Sequence, residues 1–387
     1  MGMHRRHLLA AALAAPALSL LPSVPALAQP QRPPMRTRWK VRASEGFDAL
    51  AFLGPLAGGE LYLPYYKADA DVFAAELPAA AHAEIAALWK EAERAQFGLL
   101  GPNLSVIFSN GNDGDLAALI AGAADPEARL LPAYRASPYW AEADWRWFVG
   151  AAPRLRAVFE AMQTAGFAAF RQRRIGDIDA RIAELTRSLG DYDVIRWHEK
   201  LTGRGFDPQI EVVLLQFCKP HGIKVQGQTF LQATDWGVPI TVRNAAHEML
   251  HPPIPMDGPA ATAALALLGK DPLIPRIVAD HDPKWGYTTL EGMLNEDMAQ
   301  ALDQLISEAL GVARNPADRW RKADDGIHVL AGAIYGMLRQ DRWVESGGSI
   351  EAWLADAVRA GRFDPPRLHA IAAQVLERPV DALWPLG

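Results

Sequence analysis

Two histidines four residues apart, the first followed by a glutamate, make His247-Glu248-Met249-Leu250-His251 the chemically most pointed stretch of the chain. On an α-helix, residues i and i+4 stand one above the other on one face. His247 and His251 can then direct two imidazoles at one Zn²⁺, with Glu248 beside them to hold and deprotonate a water on the metal. A third protein ligand is needed, leaving one coordination position for that water. Continuing the motif as H-x-x-G-x-x-H/D lands on Asp257, an acceptable oxygen ligand. There, however, Ile254 replaces the turn-making glycine, and Pro252, Pro253 and Pro255 stiffen the connection. The other route is a glutamate from a second helix downstream, where Glu296 is the first choice and Glu291 the reserve.

These side chains need elements to carry them. Residues 210–217 form an apolar, largely β-branched run and residues 225–234 alternate, with Pro220-His221-Gly222 between them; together they read as a hairpin. Residues 238–242 are either a third short strand or the entry to the motif helix. Asn244 can start or support that helix's first turn, and Pro252-Pro253 stops it, placing His251 at its very end. Residues 288–310 read as a helix capped by Thr288 or Thr289. Its apolar stripe runs through Leu294, Met298, Ala301, Leu302, Leu305 and Ala309, with Glu291 inside the stripe and Glu296 on the opposite face. Small residues one turn either side of Glu296, Gly292 and Ala299, would let another helix approach.

The segment Leu294-Asn295-Glu296-Asp297-Met298-Ala299 resembles the L-N-E-G-F-A stretch in which zinc aminopeptidases of the gluzincin class carry their ligand glutamate. It is also similar to the N-E segment of thermolysin-like enzymes, although Asp297 replaces the glycine and Gln300 stands where those enzymes place an acid behind a zinc ligand. The resemblance covers two short segments. It implies an α+β, predominantly helical zincin-like fold, with a small sheet before the motif helix and a helical C-terminal lobe. It also implies Zn²⁺ on His247, His251 and Glu296, with Glu248 as general base and then proton donor to the leaving amine. Such enzymes usually add a Tyr or His that stabilises the oxyanion, and Tyr335 or His328 could serve. The expected activity is hydrolysis of a peptide or protein substrate. The alternatives are an amidase acting on cell-wall peptide or an inactive zincin-fold scaffold.

The remainder of the chain sets the context. Residues 1–28 read as a cleaved export signal: Arg5-Arg6, an apolar stretch over 8–21, then Ala26-Leu27-Ala28 before Gln29. The arginine pair resembles a twin-arginine signal. Export gives a periplasmic or secreted protein with no membrane insertion after cleavage. Residues 29–38, rich in Pro and Arg, read as a disordered leader. The formal charge of −6 becomes more acidic once that signal is gone, which argues against nucleic-acid binding. Cys218 is the only cysteine, so no internal disulfide can form, and its apolar surroundings suggest a buried strand residue.

Two regions are expected, a mostly helical one over 39–150 and a catalytic one over 151–387. Within the first, residues 79–96 are helical and 104–108 read as a short strand. Ser109-Asn110-Gly111-Asn112-Asp113-Gly114-Asp115 is a turn rather than a calcium loop, since it lacks the terminal glutamate. Tyr139, Trp140, Trp145, Trp147 and Phe148 either anchor one lobe on the other or line a groove. Residues 153–201 read as helix broken near Gly176 and Gly190.

Overall fold

A computed structural model describes residues 34–385 of the chain; the readings of a signal over 1–28 and of a leader through residue 33 lie outside them. From Met35 onward the chain is mostly helical, with one mixed four-stranded sheet, an α+β architecture. The sheet order is β1 (Arg38–Ala43), β2 (Gln209–Leu215), β4 (Thr229–Ala233), β3 (Ile223–Lys224). β1, β2 and β4 are parallel, and only β3 runs antiparallel, against β4.

The expected hairpin of 210–217 with 225–234 is therefore corrected: those segments pair in parallel, and the chain first runs back along β3. What reads as one alternating strand is bent at Gly227, whose φ of +71° suits glycine, so that the Val225 N–H donates to Thr229 O in a tight turn. The apolar run of β2 is explained by burial on both faces, as parallel strands require. Val212 and Leu214, with Phe230 of β4, join the core beneath the motif helix, while Val213 and Leu215, with Leu231 and Ala233, join the core of the N-terminal helices. The sheet is thus the partition on which both cores rest.

Other expectations shift for similar non-local reasons. Residues 36–38 of the supposed leader are ordered: the N–H groups of Arg36 and Thr37 donate to the Asp193 carboxylate, and Arg38 opens β1. The run 104–108 is helical, part of Leu100–Phe108. It lies against the helix Glu45–Leu56 at Gly101, where a Cβ would sit 2.7 Å from Leu50 O. Residue 150 falls inside the unbroken helix Glu142–Thr164, and strand β1 of the first region pairs with β2 of the second. The helices Phe167–Ile175, Ile178–Leu189 and Val194–Thr202 break near Gly176 and Gly190, with a further break at Gly166. The Ser109–Asp115 stretch has its acids committed elsewhere, Asp113 to Arg42 and Asp115 to the N-terminus of the helix Leu116–Ala124. Cys218 is buried just beyond β2 rather than within it. Among the described residues no helix is long and apolar enough to cross a membrane.

Candidate metal centre

The motif helix, Val238–Glu248, starts four residues earlier than a start at Val242 would give, with Gly237 as its cap and Pro239 in the first turn. Asn244 therefore lies inside the helix and does not begin it. Thr241, Val242, Ala245 and Ala246 turn inward and seat the helix on the sheet. The helix ends at Glu248, so His251 is not in its last turn. A tightened turn, with the Leu250 N–H donating to His247 O at 3.0 Å, returns the chain under His247 instead. The two rings meet edge to face, 4.7 Å between centroids.

The third group comes from the helix Leu290–Ala309, capped by Thr289, whose hydroxyl accepts from the Gly292 N–H. Glu296 is buried on this helix, with one carboxylate oxygen 3.5 Å from His247 Nε2 and the other 3.5 Å from His251 Nε2. The two Nε2 atoms are 3.1 Å apart. Ligand atoms about 2.0–2.1 Å from a tetrahedral ion lie about 3.3–3.4 Å apart. Each histidine nitrogen is close to that distance from a different oxygen of Glu296, and single ligand atoms of the three all lie within 4.8 Å of one another. Among the described residues these three are the one group of this kind. Glu291 and Asp257, the other candidates, are both exposed and outside it.

Behind the triangle stand groups that orient it. His247 Nδ1 donates to Asp303 Oδ2 at 2.8 Å, which leaves Nε2 to face Glu296. Asp303 in turn receives both terminal nitrogens of Arg319. Gln300 Nε2 donates to Glu296 Oε1 at 2.9 Å, and the Gln300 carbonyl accepts from Trp320 Nε1. Glu296, Gln300, Asp303 and Ser307 form a buried row at helical spacing, so the Glu296 helix is buried on its polar side as well as its apolar one. Sequence reasoning missed Asp303, although a Glu-x3-Gln-x2-Asp row opposite an apolar stripe is the signal that could have found it.

Burial opposes charge throughout this centre; neighbours outweigh it for His247, Glu296 and Asp303, and burial prevails for His251 and Glu248. On His247, Glu296 and Asp303 outweigh burial and raise the imidazole to about 9. On His251, burial together with His247 lowers it to about 4. Glu296 is held below its usual value because the histidines around it outweigh its burial. Asp303 is drawn down to about 2, chiefly by Arg319 and His247 against burial. Burial pushes Glu248 up to about 7, partly offset by His247.

The two oxyanion candidates point elsewhere. Tyr335 donates its hydroxyl to Glu308 at 2.7 Å. His328 is fully buried, with Nδ1 donating to Asp297 at 2.6 Å and Nε2 to Asp324 at 2.9 Å, and these acids overcome burial to raise it to about 10. Tyr287 was not anticipated: Glu296 is the foremost of the acids that act on its buried hydroxyl, and its ring packs edge-on against His328. Its φ of +57° is costly for a bulky residue. The preceding loop is tied down by His281, whose Nε2 donates to Gly286 O at 2.6 Å. On the other side of the centre, Lys224 of β3 lies near Glu248 and donates to His251 O at 3.3 Å. Tyr139, from the aromatic cluster, also lies near Glu248, whereas Trp145 and Phe148 are buried in the N-terminal core.

No family model matches this sequence, and neither a curated protein nor a solved structure matches it.

Proposed function

We propose that the protein is an exported zinc-dependent metallopeptidase with a zincin-like catalytic half. The observation that carries the reading is the convergence of His247, His251 and Glu296, with Asp303 hydrogen-bonded behind His247. These three residues would hold the ion, which when bound supplies a Lewis acid for a carbonyl oxygen and a water of lowered pKa. Glu248 takes the proton of the attacking water and returns it to the leaving amine. Tyr287 donates its hydroxyl to the carbonyl oxygen as negative charge develops there. Strand β3 is the outermost strand on the side that carries Lys224, so an extended peptide can add along its open edge.

The test is cleavage of a peptide library by zinc-loaded wild type and by Glu248→Gln. Zinc-dependent cleavage lost in the variant supports the reading. Equal, background-level hydrolysis by both proteins removes it.

A further inference from the structure

Beside the metal triangle, a cavity of about 390 Å³ is lined by His247 and Glu296, by Arg243, Arg314 and Arg319, and by two further acids, Asp303 and Asp324, the latter bonded to His328. The three arginines are not equivalent. Arg319 is neutralised by Asp303, both of whose oxygens it engages, Oδ2 together with His247. Arg243 is half-buried and donates only to a neutral acceptor, Val312 O at 2.8 Å. Arg314 reaches the same cavity, and among the described residues no carboxylate contacts its guanidinium. The charges that Arg314 faces are Arg319 and Arg243, which repel it, and the already committed Asp303. Arg243 and Arg314 line one cavity and, among the described residues, neither has a carboxylate in contact; their planar N–H donors match a carboxylate two at a time.

We infer that Arg243 and Arg314 form a subsite for a carboxylate of the substrate, lying within one cavity of the scissile position. Resting on the peptidase reading above, this makes the substrate a peptide that carries a carboxylate close to the bond cut. That carboxylate is either the chain terminus or an acidic side chain. Trp236, Ile240 and Ala323 complete the lining of the cavity.

The experiment is titration calorimetry of zinc-loaded Glu248→Gln protein with three short acetylated peptides. One ends in a free acid, the second is its C-terminal amide, and the third is an amide with glutamate as its last residue. Binding of the first at least about tenfold tighter than the second, with the third intermediate or weak, assigns the subsite to a chain terminus. Tight binding of the third with the first assigns it to any nearby carboxylate. In either case the preference collapses to within about twofold in Arg314→Gln, a substitution at an exposed position, with zinc content unchanged. Equal affinity for all three peptides, or a preference that survives in both Arg314→Gln and Arg243→Gln, overturns the subsite. Wild-type protein is assayed for cleavage in parallel. Discrimination without cleavage keeps the anion site and removes the peptidase, whereas cleavage without discrimination does the reverse.

Discussion

Replacing Asp303 by asparagine tests whether the convergence on Glu296 is a metal centre or a chance meeting of polar groups. Asp303 is almost wholly buried, 2% exposed at its side chain, and serves two partners. For His247 it fixes which ring nitrogen carries the proton, through the 2.8 Å bond to Nδ1. For Arg319, itself 8% exposed, it is the one carboxylate in contact among the described residues. Asparagine keeps the shape and one acceptor but loses the charge. The first loss weakens the hold on the imidazole, and acids behind a metal-bound histidine are worth about 10–100-fold in metal affinity, or about 1.4–2.7 kcal/mol. The second leaves a buried guanidinium without its anion, a defect that costs about 3–5 kcal/mol when one member of a buried pair is removed. The two losses separate experimentally. Chelator competition reads the zinc dissociation constant, and urea unfolding with and without zinc reads stability. Arg319→Gln is the control, since it breaks the ion pair but keeps Asp303 on His247; it should lose stability while holding zinc within a few fold of wild type. A folded Asp303→Asn protein that binds zinc within about threefold of wild type would refute the second-sphere role and weaken the whole assignment.

Equilibrium dialysis should give one zinc per chain, lost in His251→Ala and in Glu296→Gln, while Glu291→Gln and Asp257→Asn, at exposed positions, keep full stoichiometry. If Tyr287 stabilises developing charge, Tyr287→Phe lowers kcat about 100-fold with little change in KM. Tyr335→Phe, whose hydroxyl serves Glu308, should leave kcat within about twofold; the reverse pattern would exchange their roles. His198 is fully buried, its Nε2 donating to Ala246 O at 2.9 Å and its Nδ1 without a partner among the described residues; burial lowers it to about 4. Its folded pKa is depressed, so its contribution to stability is whole above about pH 6.5 and is lost as pH falls toward 4, about 2–3 kcal/mol by pH 4.5. Urea unfolding of His198→Gln should accordingly show a shallower acid slope than wild type, and parallel slopes would count against it. Sequencing the N-terminus of protein recovered from the periplasm or medium should find Gln29 first; retention of Met1 in a cytoplasmic product would end the export reading.

What could be read from the sequence was local. Helical spacing marked His247, Glu248 and His251, the threonine before Leu290 marked the start of the Glu296 helix, and glycines marked breaks near 176 and 190. These signals depend on neighbours within a few residues, because backbone geometry and capping act over one or two turns. Glu296 over Glu291 rested on a short resemblance; in the folded chain Glu296 is the one drawn inward, and Glu291 stays at the surface.

The tertiary structure decided whatever depends on partners far apart in the chain. Strand β1 finds β2 across 171 positions of sequence, Arg38 against Gln209, and no periodicity within either segment announces a parallel neighbour. His251 left the helix yet still reaches His247 and Glu296, because the turn after Glu248 brings the chain back toward His247. Asp303, Tyr287 and the arginines of the cavity each look like ordinary surface residues when read singly. They become a centre only because the sheet, buried on both faces, fixes the motif helix against the Glu296 helix. Polar side chains caught between two such helices must then find one another, or an ion, to offset their lost hydration.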